Sequence, residues 1–204
     1  MATFEVVEQA QGRLTTEVAQ LWPHQGEWTE ADYFALPDTS RLIELSGGKL
    51  IMPPHPTDTH QRIVLRLVLA FQSFVEAHDL GVIRFAPLPV RLWPDKVREP
   101  DLLFVSHAHA ERMGEQAYGP PDLVVEVVSA STRRTDRVEK FVEYARAGIG
   151  EYWLVDSEAQ TLEVFVLQDD AYMLLVKAVA GEKAYSRLLD GFELAADEVF
   201  ASGS

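Results

Sequence analysis

The stretch PPDLVVEVVSASTRRTDRVEKF, residues 120–141, sets a carboxylate inside an apolar run. Leu123, Val124, Val125, Val127 and Val128 flank Glu126, the pattern of a strand that is dry on both faces. A lone carboxylate there is expensive to desolvate unless something compensates it. The candidates are a metal ion, a basic partner, or a proton on the acid itself.

The residues that follow predict a helix, RTDRVEKFVEYARAG, starting at Ser131 or Thr135 and stopped by Gly148. A second apolar strand, EYWLVD, comes next, so the segment reads as a strand–helix–strand crossover. On the helix, Val138, Phe141, Val142 and Ala145 form the expected core stripe. Asp136, Lys140 and Tyr144 fall at i, i+4 and i+8 on the other side, which the spacing assigns to a solvated face with an Asp–Lys pair. Arg133, Arg134, Arg137 and Lys140 make the densest positive cluster of the chain.

Around this unit, hairpin signals dominate. A short helix is expected around TTEVAQLW (residues 15–22), and another in WTEADYFALPD, with Thr29 as N-cap and Asp32 completing a capping box. RLIELSGGKLIM reads as two strands about Ser46-Gly47-Gly48. From His60 to His78 the spacing of Ile63, Leu67, Phe71, Phe74 and Val75 is helical, with Thr57 or Asp58 as N-cap. GVIRFAPLPVRLW, EPDLLFVS, TLEVFVL and AYMLLVK are strands, the last two joined across Gln168-Asp169-Asp170. The fold class that follows is mixed α/β (α+β): a central mixed β-sheet flanked by helices. Residues 1–28 are loosely patterned and read as an N-terminal extension, and 29–204 as a single domain.

The apolar fraction is 47%, ordinary for a globular protein, and no window is apolar enough to span a membrane. The first residues lack the pattern of a signal peptide, and without cysteine there is no disulfide framework or zinc–thiolate site, so a cytoplasmic location is expected. Eighteen Lys and Arg against 32 Asp and Glu leave a net charge of −14. Such a surface repels nucleic acid at long range, so any polyanionic partner must be met by a local basic patch or a metal.

Three acids are candidates to act with Glu126. Asp122 shares its strand and face, but four residues at about 3.3 Å each put the two roughly 13 Å apart, too far for one hard cation. Asp122 is therefore expected to be a turn acid. Asp101, after Pro100 at the start of DLLFV, can approach Glu126 laterally from a neighbouring strand, a geometry that suits magnesium. Glu44 alternates with Ile43 and Leu45 and can equally point to solvent. His60 sits at a helix start, where solvation is the commoner fate. His107 and His109 form a His-x-His pair with no third ligand at zinc spacing.

Taken together, IELSGGKLIMPPHPTDTHQRI, REPDLLFV, PPDLVVEVVSAST and DRVEKFVEYARAGIGEYWLVD resemble the Uma family of restriction endonuclease-like proteins, within the PD-(D/E)XK nuclease superfamily. The resemblance spans about residues 29–200. It implies a mixed sheet flanked by helices and a metal-dependent endonuclease acting on nucleic acid, DNA first, through magnesium or manganese. By the same resemblance Asp101 and Glu126 bind the cation, Glu44 adds a metal or water contact, and a homodimer is plausible. The superfamily lysine stands two residues after the acid, where this chain has Val128; the resemblance transfers its role to Lys140. Arg133, Arg134 and Arg137 then become the expected nucleic-acid contacts. Two other functions remain open: a regulatory module that keeps the fold without catalysis, and a metal-dependent hydrolase of a different substrate.

Overall fold

The computed structural model describes residues 4–7, 18–37 and 42–201. Phe4–Val7 (β1) pairs antiparallel with Val18–Leu21 (β2), where a short helix was expected. The eight residues of the expected helix, of which 15–17 lie outside the described residues, are too few to offset helix nucleation, whereas the β1–β2 ladder pairs the backbone groups of Val18–Leu21. Glu30–Phe34 (α1) follows with the expected capping box: the Thr29 hydroxyl accepts the Asp32 N–H, and the Asp32 carboxylate accepts the Thr29 N–H. Glu44–Ser46 (β3) and Lys49–Ile51 (β4) form a hairpin in which Gly47 and Gly48 both take positive φ (58° and 70°), as a tight two-residue turn requires.

The long helix Asp58–Ala77 (α2) is capped by the Thr57 hydroxyl and buries Ile63, Leu67, Phe71 and Val75. GVIRFAPLPVRLW proves to be two strands, Gly81–Phe85 (β5) and Val90–Trp93 (β6), and Lys96–Arg98 (β7) lies between β6 and Leu102–Ser106 (β8). Leu123–Val128 (β9) leads to a π-helical segment, Thr135–Lys140, which runs directly into Phe141–Arg146 (α3). Glu151–Asp156 (β10), Thr161–Gln168 (β11) and Ala171–Ala178 (β12) complete the main sheet. Lys183–Tyr185 (β13), Glu193–Ala195 (β14) and Ala196–Phe200 (α4) follow.

The main sheet has the order β12-β11-β10-β9-β8-β5, with β9 and β10 parallel and every other pair antiparallel. It is the mixed sheet expected from the crossover. Val125 and Val127 face the α2 side with Leu102, Phe104 and Trp153. Val124 and Val128 face the other side with Leu103, Leu154, Tyr152 and Tyr144. Alternation along β9 therefore turns Glu126 toward the α3 side. A smaller antiparallel sheet, β4-β3-β7-β6, stands beside this face.

The helix after β9 corrects the sequence reading. Phe141 and Ala145 pack inward as expected, but Val138 and Val142 are 57% and 63% exposed, while Asp136, Lys140 and Tyr144 are buried. The wider π turn keeps side chains four apart nearly in line, so Asp136 and Lys140 stay on the face that Tyr144 continues. Charged groups tolerate that position because they compensate one another.

Candidate active site

The β8–β9 register pairs Leu102 with Val125 and Leu103 with Val124. Asp101 immediately precedes this ladder, next to Leu102, and its carboxylate reaches the residue that follows Glu126. Asp101 is fixed there by its own carboxylate: Oδ2 accepts the Val127 N–H at 2.7 Å. From the first turn of α2, His60 Nε2 reaches the same oxygen at 3.3 Å.

Glu126 receives two donors from the buried helix face. Lys140 Nζ lies 2.8 Å from its Oε1, and the Tyr144 hydroxyl donates to that oxygen at 2.6 Å. The ammonium is also 3.3 Å from Glu44 and 3.6 Å from Asp136. Glu44 points inward from β3, not to solvent. Its Oε2 accepts from Arg98 Nη1 at 2.6 Å and its Oε1 from the Glu99 N–H at 3.2 Å. Arg98, fully buried on β7, in turn grips Glu143 through Nε and Nη2 at 2.8 and 3.0 Å. The fold thus brings Glu44, Asp101, Glu126 and Lys140 to one end of the sheet.

Burial pushes the Glu126 carboxyl well above its ordinary range, against the pull of Lys140. Burial also works against the charge on Lys140, but Glu126, Glu44 and Asp136 outweigh it and hold the ammonium protonated. Glu44 is desolvated too, yet Lys140 and Arg98 together keep it below the usual carboxylate range. Asp136 is raised, chiefly by burial. For His60, burial opposes protonation, but the hydrogen bond and charge of Asp101 prevail and raise its pKa.

The charge count is lopsided. Glu44, Glu126 and Asp136 share the Lys140 ammonium, Glu44 also holds Arg98, which is shared with Glu143, and Asp101 faces only His60. A centre in which carboxyl groups outnumber fixed cations, with oxygen donors on adjoining strands, fits a hard divalent cation. Among the described residues no three side-chain ligands converge on one point. Magnesium commonly takes only one or two carboxylates and completes its shell with water and phosphate oxygens.

Other residues singled out from the sequence lie elsewhere. Arg133 is bound to Asp156 at 2.8 Å and to Glu158 at 2.9 Å, and Arg137 to Glu163 at 2.7 Å and Asp156 at 3.2 Å. Arg134 is exposed. Asp122 is the turn acid expected, accepting the Ser106 N–H and pairing with His109 and Arg112. His107 pairs with Asp79. Sequence reasoning missed Arg98 and the inward turn of Asp136 and Tyr144. It also left His60 as a solvated histidine. For Asp136 and Tyr144 the signal was present, since both share the four-residue spacing of Lys140; for Arg98 alternation in a three-residue strand was too short to read.

A family profile described as "Putative restriction endonuclease", Uma2, matches residues 30–197. The chain belongs to the Uma2 family. A solved structure, described as a "putative nuclease" of the DUF820 group from Anabaena variabilis, is 20% identical with a TM-score of 0.69, covering 84% of this chain and 97% of that one. At that identity the likeness establishes a shared fold. No curated protein matches the chain. In this Uma2 protein the position two residues after the β9 acid is the buried Val128, and the ammonium at the acid comes instead from Lys140.

Proposed function

We propose that this Uma2 protein is a divalent-metal-dependent endonuclease that hydrolyses phosphodiester bonds of nucleic acid, DNA in the first instance. The observation that carries the reading is the meeting of Lys140 with Glu126 at 2.8 Å, beside Asp101, whose carboxylate accepts the Val127 N–H. Asp101 and Glu126 are the residues that would hold magnesium or manganese. The ion would supply Lewis-acid polarisation of a phosphoryl oxygen and a bound water of lowered pKa.

The chain's own residues do the rest. His60 and the Val127 N–H orient Asp101. Tyr144 and Lys140 orient Glu126, and Arg98 and the Glu99 N–H orient Glu44. The Lys140 ammonium, held charged by three acids, stabilises negative charge that builds on the phosphoryl group. Glu44, kept ionised by Lys140 and Arg98, would accept a hydrogen bond from an attacking water. Substrate phosphates are met by Arg134 and by the exposed edge of Arg133, with Arg137 behind them.

The test is cleavage of plasmid DNA with magnesium or manganese by wild type, Asp101→Asn and Glu126→Gln, paired with calorimetric titration of the metals. Metal binding lost in Glu126→Gln together with cleavage supports the reading. Wild type that binds neither ion would shift the assignment to a regulatory module that keeps the fold, a reading the charge of −14 favours. Wild type that binds metal but cuts no nucleic acid would point to another substrate.

A further inference from the structure

The π-helical turn that buries Lys140 leaves an opposite face that no contact among the described residues explains. Val138, Val142 and Arg146 stand four residues apart on it, and all three are exposed. Valine is a poor helix former at a solvated position, so nothing in helix stability asks for two of them there. The line runs roughly 12 Å along the helix and ends at a groove of about 450 Å³. That groove is walled by Trp93 and Lys96 of the β6–β7 turn, the Gly47-Gly48 turn of β3–β4, and Val142, Glu143 and Arg146.

The groove is built around one aromatic ring. The Arg146 guanidinium lies 4.4 Å from the Trp93 ring centroid and the Lys96 ammonium 5.5 Å from it. Lys96 is committed to Glu143 at 2.5 Å and to the Ser46 hydroxyl at 2.6 Å. Arg146, by contrast, has no carboxylate partner among the described residues. The two acids of the groove are both engaged: Glu143 by Lys96 and Arg98, and Asp95 by the Glu30 N–H at 2.8 Å. Its formal charge balances, with Lys96 and Arg146 against Asp95 and Glu143, on a protein that carries −14 overall. From Glu143 a continuous set of ion pairs runs through Arg98, Glu44 and Lys140 to Glu126.

We infer that this groove and the Val138–Val142 face seat unpaired nucleotides of the substrate strand on the side of the helix away from Lys140, flanking the cleavage centre. A base stacks on the Trp93–Arg146 platform or takes the place of the guanidinium on the ring, and the freed Arg146 N–H groups bind a phosphate. Flat aromatic and guanidinium surfaces take any base by stacking, and apolar side chains cover the faces of neighbouring bases. At about 3.4 Å per stacked nucleotide the line serves three or four. A rigid duplex keeps its bases inside and offers the ring only its backbone, so the site selects single-stranded or locally opened nucleic acid. This inference rests on the endonuclease reading above and names its substrate form.

The experiment uses the full chain in calcium buffer, so that binding is seen without cleavage. Fluorescein-labelled dT12, rU12 and a 12-base-pair duplex are titrated by anisotropy. Wild type is expected to bind one of the single strands at least about fivefold more tightly than the duplex. Trp93→Leu should weaken that binding about tenfold, the scale of one lost stacking contact, while Trp93→Phe retains most of it. Arg146→Gln should weaken it and flatten its salt dependence. Thermal unfolding of each variant separates a binding defect from misfolding. Trp93→Leu binding like wild type, or a wild type that prefers the duplex, overturns the groove and leaves the nuclease reading intact if plasmid is still cut. Wild type that neither binds nor cuts any of these nucleic acids overturns both.

Discussion

Lys140 Nζ lies 2.8 Å from Glu126 Oε1 although the two are fourteen residues apart and both are buried. The partnership is unequal. Lys140 touches three acids, whereas Glu126 has no second cation among the described residues. Removing either partner therefore has different consequences.

Lys140→Met leaves Glu126, Glu44 and Asp136 facing one another without their shared cation. The expected loss is about 3–5 kcal/mol at pH 8, and less at pH 5, where the carboxyls can take up protons. Glu126→Gln removes one acid from a centre that already has too many, so stability in metal-free buffer should hold or rise. Urea unfolding with EDTA measures both; equal losses would mark the pair as an ordinary structural ion pair.

His60 acts on Asp101 from outside the proposed metal site. His60→Ala is expected to weaken magnesium or manganese binding by about 10–100-fold, with Asp101→Asn weakening it more. Calorimetric titration gives both values. An unchanged affinity in His60→Ala would reduce the 3.3 Å contact to a packing detail.

Glu99 has a folded-state pKa of about 7, raised from 4.5 mainly by burial. Its carboxylate accepts from the Tyr33 hydroxyl and the Ile43 N–H through Oε1, while Oε2 is buried without a partner among the described residues. A raised acid binds its proton more tightly in the folded state. Its contribution is therefore neutral below about pH 4.5, grows destabilising as pH rises from there to about 7, and is fully destabilising above that. That difference corresponds to a few kcal/mol at most, on the order of 3. Glu99→Gln should stabilise the protein at pH 8 and change little at pH 4.5. Denaturant midpoints across that window give the answer, and a gain that does not vary with pH would contradict it.

Arg133 and Arg137 both hold Asp156, whose side chain is almost wholly buried. Arg133→Ala with Arg137→Ala should cost about 2–4 kcal/mol of stability in addition to any loss of nucleic-acid affinity. Arg134→Ala should change affinity alone. Melting curves beside binding curves separate the two effects. A double variant as stable as wild type would show that backbone N–H groups of Glu158 and Ala159 suffice for Asp156.

Much of this centre is legible in the sequence. Glu126 announced itself as a carboxylate among valines, and Asp101 followed from strand spacing. The long helix was legible because Ile63, Leu67, Phe71 and Val75 keep an unbroken period. What failed was the orientation of the helix carrying Lys140. Hydrophobic periodicity ranks valine above aspartate and lysine as a core residue, and it cannot register that three acids and one ammonium bury one another. It also assumes 3.6 residues per turn, which the π segment does not keep. Arg98 escaped for a related reason: its burial depends on Glu44 and Glu143, 54 and 45 residues away.

The parallel pairing of β9 with β10 bears on when during synthesis the centre comes into being. A nascent chain released as far as Gly148 already holds Glu44, Asp101, Glu126 and Lys140. It lacks Glu151–Asp156, the strand that pairs with β9 from Leu123 to Val128 and sets Leu154 beside Glu126. Until that strand arrives, β9 is an open edge, and the helix bearing Lys140 has no Tyr152 to pack Tyr144 against. Non-local pairing of this kind forms late. A nascent chain therefore carries all four of these side chains before it has the strand and the aromatic contact that fix how they meet.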